Sequence, residues 1–391
     1  MSWPVRIILP VNDTLRIKWR RWFFAFLAVF IMAAMVGGVI VFTSPTDIRR
    51  ALVVFCIVFF TGMSVYLICL AVRVYYYGVC LSVSDTYKQE SILAKKEWTK
   101  WASRRLFVSA YHLFIPSEIS ESDIALAESV AIYNEQQLRL RGHDGQTYSE
   151  EQLLYELLAS VRVKLKELAK TCIFDVIFTY GNSHATFSIF KECWVAIGLP
   201  ENKMKNCSYL NGNFEQEFDR LLSEAENKVV IFISANVESV AGYSPELTEF
   251  ASIVLMNSQV DRVGCVNSGV VLRTMASGKE YIDQELILMK TYQPEMLQTS
   301  KIFFSNMHMD EILNVSGVLR ESELTDDSKW VYETQNLNLV LGKLGDEHFW
   351  LVFTLALSFT EKTKEAVMMI AAVGNEYVCN VIKAFDNNRE L

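Results

Sequence analysis

The run Gly181-Asn182-Ser183-His184-Ala185 is where residue types and spacing in this chain come nearest to a reaction centre. It follows an apolar stretch, Ile173–Thr179, and precedes a helical one, Thr186–Ile197. That is the strand–turn–helix setting of a nucleophile elbow, with alanine in the last small-residue position. In this reading Ser183 attacks an ester, His348 takes its proton, and Asp346 or Asp310 orients the imidazole, in a chain order such triads use. Against it, only about 70 residues of soluble chain precede the elbow, and they hold no Gly-rich segment for an oxyanion hole. Gly, Asn and Ser also gather at ordinary strand-to-helix turns, because they cap the helix and relieve backbone strain.

Other chemistry is thinner. The sequence has no G-x-G-x-x-G run, Walker loop, H-E-x-x-H or zinc-spaced Cys/His cluster, so no cofactor and no metal is expected. His112, His143, His184, His308 and His348 are isolated from one another. Glu150-Glu151 and Asp326-Asp327 are adjacent carboxylates of the kind that sit solvated on a surface turn. The 8 cysteines are scattered singly with no C-x-x-C pair, which fits a reducing compartment better than a disulfide framework.

The elements that must position these groups alternate. Leu106–Ile115 reads as a strand, Ser117–Asp123 as the start of an acidic helix, Arg139–Gln146 as a loop and Ser149–Ala169 as a helix. After the Ile173–Thr179 strand and the Thr186–Ile197 helix come a helix at Phe214–Ala225, a strand at Val229–Ser234 and a helix at Glu246–Met256. Such alternation means βαβ units and a largely parallel sheet. Near the carboxyl end, Phe349–Phe359 is apolar on every face and too short to span a bilayer, so it must be a helix buried on all sides. Ala366–Val373, the Gly374-Asn375 turn and Tyr377–Ala384 then read as a closing hairpin.

Two apolar runs near the amino end, Trp22–Phe42 and Ala51–Val72, are each long enough to cross the roughly 30 Å hydrocarbon layer as a helix. Neither contains an ionisable Asp, Glu, Lys, Arg or His, which argues for an anchor and against ion conduction. Ala33, Ala34, Gly37 and Gly38 form overlapping small-residue pairs that suit close helix packing, most simply against the second span. Arg16, Lys18, Arg20 and Arg21 abut the first span, and Arg73, Lys88, Lys95, Lys96 and Lys100 follow the second. By the positive-inside bias both termini are cytoplasmic. Arg20, Arg21, Arg73, Lys95, Lys96, Trp98 and Trp101 are the expected contacts to membrane lipid at the interface. The expected organisation is a tail over 1–21, a transmembrane hairpin over 22–72, a basic juxtamembrane segment over 73–105 and a soluble α/β domain over 106–391.

Charge divides the same way. Up to Arg105 there are 14 Lys and Arg against 5 Asp and Glu, which leaves 23 against 40 in the remainder, a balance of −17. So anionic a body lacks the clustered cations that replace phosphate counterions, so nucleic acid is not an expected partner.

A buried helix followed by a terminal ββ pair resembles the second half of the thiolase and ketoacyl-synthase fold. Val229–Met256, VVIFISANVESVAGYSPELTEFASIVLM, resembles the matching part of the first half. The resemblance implies a layered thiolase-like α/β body. It implies a catalytic Cys at a helix start, for which Cys207 lies at the approximate distance, and a first His, for which His308 follows KIFFSN. The second His belongs in a Gly-His pair before the buried helix, where this chain has Gly345-Asp346. An ionised carboxylate repels a developing oxyanion, so the resemblance points to a catalytically degenerate member. His348 lies two residues on, a turn of about 200° around a helix.

RRLFVSAYHLFIP, IFDVIFTYG, VVIFISANVES and LGDEHFWLVFTLALSF together resemble the lipase-effector adaptors of bacterial type VI secretion. That implies an inner-membrane protein facing the cytoplasm whose partner is a secreted effector or a secretion component. The competing expectation is a membrane-bound enzyme using Ser183 or Cys207.

Overall fold

Small residues decide how the amino-terminal helices meet. Helix α1 (Trp19–Thr43) buries Ala33 and Gly37, and a Cβ on Gly37 would stand 3.3 Å from Phe55 Cβ in α2 (Ile48–Ala102). Further along, a Cβ on Gly62 would stand 2.9 Å from Val29 Cγ1. Aromatic side chains fill the rest of the seam, Phe30 meeting Phe55 and Phe59 edge-on and Trp22 meeting Tyr66. The Ala33–Gly37 pair therefore serves the hairpin, whereas Ala34 and Gly38 face outward. Both helices are long and apolar enough to cross a membrane. Helix α2 does not end with its apolar run. It continues unbroken for 55 residues, about 80 Å at 1.5 Å each, so residues 73–102 of the basic segment expected beside the membrane belong to the same helix.

The structure, a computed structural model, describes residues 3–5, 8, 17–43, 48–126, 131–142, 145–210, 212, 214–223, 228–258, 268–321 and 330–385. Arg16, His143 and the Asp326-Asp327 pair lie outside them. Residues 5–97 form one compact unit, and residues 1–4 with 98–391 form the globular body.

In the body the chain runs β1 (Arg105–Phe114), α3 (Glu121–Leu126), α4 (Glu150–Ser160), α5 (Arg162–Leu168), β2 (Ile173–Phe178), α6 (His184–Ala196), β3 (Met204–Tyr209), α7 (Phe214–Ser223), β4 (Lys228–Asn236) and β5 (Phe250–Asn257). It continues through β6 (Gly269–Leu272), β7 (Met275–Gly278), α8 (Ile282–Tyr292), β8 (Thr299–Ser305), α9 (Met309–Glu321), β9 (Glu333–Asn336), α10 (Asn338–Leu341), α11 (Phe349–Thr363), β10 (Ala366–Val373) and β11 (Glu376–Lys383). Ser149 starts α4 with a capping box, its hydroxyl accepting from Gln152 N–H and the Gln152 side chain accepting in return.

Strand order reveals a duplication. The first half is ordered β3-β2-β4-β5-β1 and the second β9-β8-β10-β11-β6. In each, the first three strands are mutually parallel, the fourth is antiparallel to them and the fifth antiparallel to the fourth. The intervening helices correspond as well, α6 to α9 and α7 to α11. Antiparallel pairing of β1 with β6 joins the halves into one hydrogen-bonded sheet rather than two separate ones.

Helix α11 lies where the halves face each other. Every residue from Phe349 to Thr360 is buried, and the helix touches β1 and β5 of one half and β8, β10 and β11 of the other. Alternation across β4 places Val230 and Phe232 in this central core and Val229, Ile231 and Ile233 in an outer one under α4, α5 and α6. The architecture is thus a layered α/β fold with a mixed sheet.

The helix expected at Glu246–Met256 is instead strand β5. All 8 of its residues are buried, paired with β1 on one side and β4 on the other. A strand covered on both faces gives a continuous apolar run that periodicity cannot tell from a buried helix.

Gly342 pins the connection that leads to α11. Its φ is +77°, and a Cβ there would fall 2.2 Å from the Gln136 carbonyl oxygen and 2.9 Å from Thr248 Oγ1. Gly342→Ala is expected to destabilise the body by roughly 2–4 kcal/mol, combining left-handed strain with overpacking. A urea midpoint equal to the wild type would contradict this.

Candidate functional site

The carboxyl ends of β2, β3 and β10 meet the amino ends of α7 and α11 at a cleft of about 240 Å³, the position where open α/β sheets hold ligands. Thr179, Leu210, Phe214, Asp346, Glu347, Phe349, Trp350, Val373 and Val378 line it. Among the described lining residues there is no Cys, Ser or His.

Phe214, the first residue of α7, decides the character of the floor. Its ring centroid lies 5.0–5.9 Å from those of Phe218, Phe232, Phe349, Trp350 and Phe353, and Trp350 stacks on Phe232 at 4.6 Å. The rings pack mostly edge-to-face, which favours aromatic clusters, and together they close the space below the helix starts. Sequence reasoning missed Phe214. Its signal is the Phe214, Phe218, Leu221 stripe of a strongly amphipathic helix.

At the rim Asp346 is fully engaged. Oδ2 accepts the Gly374 N–H at 2.9 Å and Oδ1 accepts Asn306 Nδ2 at 2.9 Å. Asn306 in turn donates to the Ala372 carbonyl, its own N–H donates to Asn338 Oδ1, and its φ of +52° is one that Asn tolerates better than most residues. The carboxylate thus straps the β10–β11 turn to the loop after β8.

His348 points away from the cleft and is fully buried. The Gly345 N–H donates to Nδ1 at 3.0 Å, and Nε2 lies 2.7 Å from the Thr248 carbonyl. A carbonyl cannot donate, so the proton sits on Nε2 and the ring is held as one neutral tautomer. Burial pushes its pKa below the usual histidine value, against the opposing pull of the Thr248 carbonyl. With both nitrogens occupied by backbone, His348 is a structural bolt between the two halves.

The expected triad is therefore not assembled. Ser183 is the N-cap of α6, its hydroxyl accepting from Ala185 N–H at 3.2 Å in an extended conformation of φ −97°, while Gly181 takes the left-handed turn. The Ser183 carbonyl accepts the Tyr209 hydroxyl at 2.6 Å. His348 and Asp346 are engaged elsewhere, and Asp310 is exposed in the first turn of α9.

Cys207 and His308, the other expected pair, stand in different halves. Cys207 lies within β3 opposite Val176, not at a helix start, and β3 is at one end of the strand order. Burial pushes its thiol up to about 11, Lys191 opposing. The Sγ–H points at Met204 Sδ, 3.3 Å away. His308 is exposed after β8, in the other half, its N–H donating to Glu311 Oε2 at 2.9 Å.

Of the expected lipid contacts, Arg20, Arg21, Lys95 and Lys96 are exposed, and Arg73 is half-buried. Trp98 and Trp101 belong to the globular body, where they meet edge-on. The Trp101 face is covered by the Arg273 guanidinium 3.6 Å from its centroid, so it is spent on protein rather than on headgroups. No three His, Cys, Asp or Glu side chains gather to hold a metal among the described residues.

No family model and no curated protein matches the sequence. Solved structures are similar in shape. The peroxisomal 3-ketoacyl-CoA thiolase of Saccharomyces cerevisiae is 10% identical with a TM-score of 0.46, over 72% of this chain and 98% of that one. It is described as five-layered and constructed from two core domains of identical topology. Human mitochondrial 3-ketoacyl-CoA thiolase is 9% identical with a TM-score of 0.45, over 73% and 99%. The 3-oxoacyl-[acyl-carrier-protein] synthase III of Aquifex aeolicus is 10% identical with a TM-score of 0.42, over 71% and 99%. The duplicated strand order stands independently of these likenesses.

Proposed function

We propose that this chain is a membrane-anchored, cytoplasm-facing binding protein whose thiolase-like body has lost its catalytic apparatus and holds a protein partner instead. The observation that carries the reading is the occupancy of the two helix starts. Phe214 stands at the start of α7, and a hydrogen-bonded Asp346 stands just ahead of α11, where the resemblance calls for a nucleophile and a neutral donor. A carboxylate there opposes oxyanion formation, and a phenyl ring in the nucleophile's place has no atom that can attack a thioester. The apolar hairpin supplies the anchor. The resemblance to lipase-effector adaptors supports a partner that is a type VI secretion effector, captured in the cytosol of a bacterium and passed to the secretion spike. The −17 balance of the body favours a partner with a basic face.

The enzymatic alternative makes a distinguishable forecast. An activated serine or low-pKa thiolate reacts with fluorophosphonate or iodoacetamide far faster than an ordinary one. On the binding-protein reading Ser183 stays unlabelled by fluorophosphonate. Iodoacetamide labelling of Cys207 is slow at pH 7 and climbs about tenfold per pH unit, because the thiol sits near 11 and only the thiolate reacts. Rapid labelling of either residue at neutral pH would overturn the proposal.

A further inference from the structure

Trp3 is only 1% exposed and belongs to the globular body, although the residues that follow it belong to the helical unit. Its indole N–H donates to the Thr274 carbonyl at 3.0 Å, and its ring meets Trp101 edge-on with centroids 5.4 Å apart. The receiving surface is itself fastened. Arg273 lies over the other part of Trp101, donates to the Trp101 carbonyl at 3.2 Å and pairs with Asp219. Gln293 Nε2 donates to the carbonyls of Ala102 and Arg273 at 2.9 and 3.2 Å, and Asn380 Nδ2 donates to Thr274 Oγ1 at 2.6 Å.

A segment outside helix and sheet frays unless something ties it down, and a buried tryptophan with its N–H satisfied is a strong tie. Trp3 and Trp101, which lie within a few residues of the two connections to the helical unit, therefore meet within the body. One connection departs just after Trp3, and the other arrives at Trp98–Ala102.

We propose that Trp3 is a latch that fastens the segment ahead of α1 to the body, so that the chain on either side of the helical hairpin is held together and lies on one side of the membrane. The same-side part rests on the reading of α1 and α2 as a membrane hairpin; the latch itself does not. Closure of so long a loop is tolerable because its entropic cost grows only with the logarithm of its length. Opening the latch would bare the Trp101 edge and the Thr274 carbonyl at the root of β7, beside the closing β-hairpin.

The test is timed trypsinolysis of the full chain reconstituted in sealed phosphatidylcholine–phosphatidylglycerol vesicles, with mass spectrometry of the peptide released at Arg6. Trp3→Ala is expected to speed that release by roughly tenfold or more while cleavage within the body keeps its rate. Trp3→Phe, which keeps a ring and loses the N–H bond, is expected to fall between. Equal release rates in wild type and Trp3→Ala would overturn the latch. Cleavage at Arg6 from the opposite vesicle face to the body would overturn same-side closure. Extraction of the chain by alkaline carbonate would instead remove the membrane-hairpin reading and leave the release rates to judge the latch alone.

Discussion

Replacing Phe353 by alanine is expected to remove about 3–5 kcal/mol of the body's stability, the range for deleting a buried aromatic ring that its surroundings cannot collapse around. Phe353 is fully buried in the middle of α11, touching Phe214, Phe349 and Trp350 with centroids 5.5–6.0 Å away. That helix is flanked by strands of both halves and by α3, so no solvent-facing side exists toward which neighbours could relax. The check is equilibrium urea unfolding followed by the near-ultraviolet signal of the aromatic cluster. A loss under about 1 kcal/mol would mean the helix lies in a looser setting than between two sheet halves.

His348→Ala is expected to cost a similar amount, roughly 3–5 kcal/mol, because it opens a cavity and orphans the Gly345 N–H and the Thr248 carbonyl together. It also changes the response to acid. Burial keeps the folded imidazole neutral below its usual value of 6.5, whereas the unfolded chain takes up the proton there. The unfolded state then binds more protons, so this contribution is complete above pH 6.5 and is lost as pH falls below it. One such group adds a slope of up to about 1.4 kcal/mol per pH unit. His112, also lowered mainly by its burial, adds in the same sense with a nearby Glu121 opposing. Between pH 7.5 and 5 the wild type is expected to lose stability more steeply than the His348→Ala protein. Parallel slopes would mean that the folded His348 takes up its proton at the same pH as the unfolded chain, and the bolt would be misassigned.

Much of this architecture is written plainly in the residues. Helix α11 declares itself because it is apolar all round yet too short for a bilayer, and its hairpin because Gly374-Asn375 divides two largely apolar runs. The position of Asp346 ahead of α11, and the rotation that carries His348 away from it, also follow from spacing alone. Strand β5 does not, since burial on both faces erases the alternation that marks a strand. The duplication is hidden for a related reason: β6, β7 and β9 have 4 residues each, too few for any period, and only pairing defines them. Distance along the chain singles out Cys207, but distance does not say whether a residue lies in a strand or at a helix start. Trp3 carries no pattern at all, because a latch made by one side chain depends on tertiary contacts at Thr274 and Trp101.

The central claim is that the cleft between the halves has no means of acyl transfer, and steady-state turnover tests it most directly. Purified full-length protein in mild detergent would be given short- and long-chain acyl thioesters and esters, with thiol or alcohol release followed against heat-inactivated protein. The expected result is no rate above that background, unchanged in Ser183→Ala and Cys207→Ala. Multiple turnovers abolished by either single substitution would contradict the account.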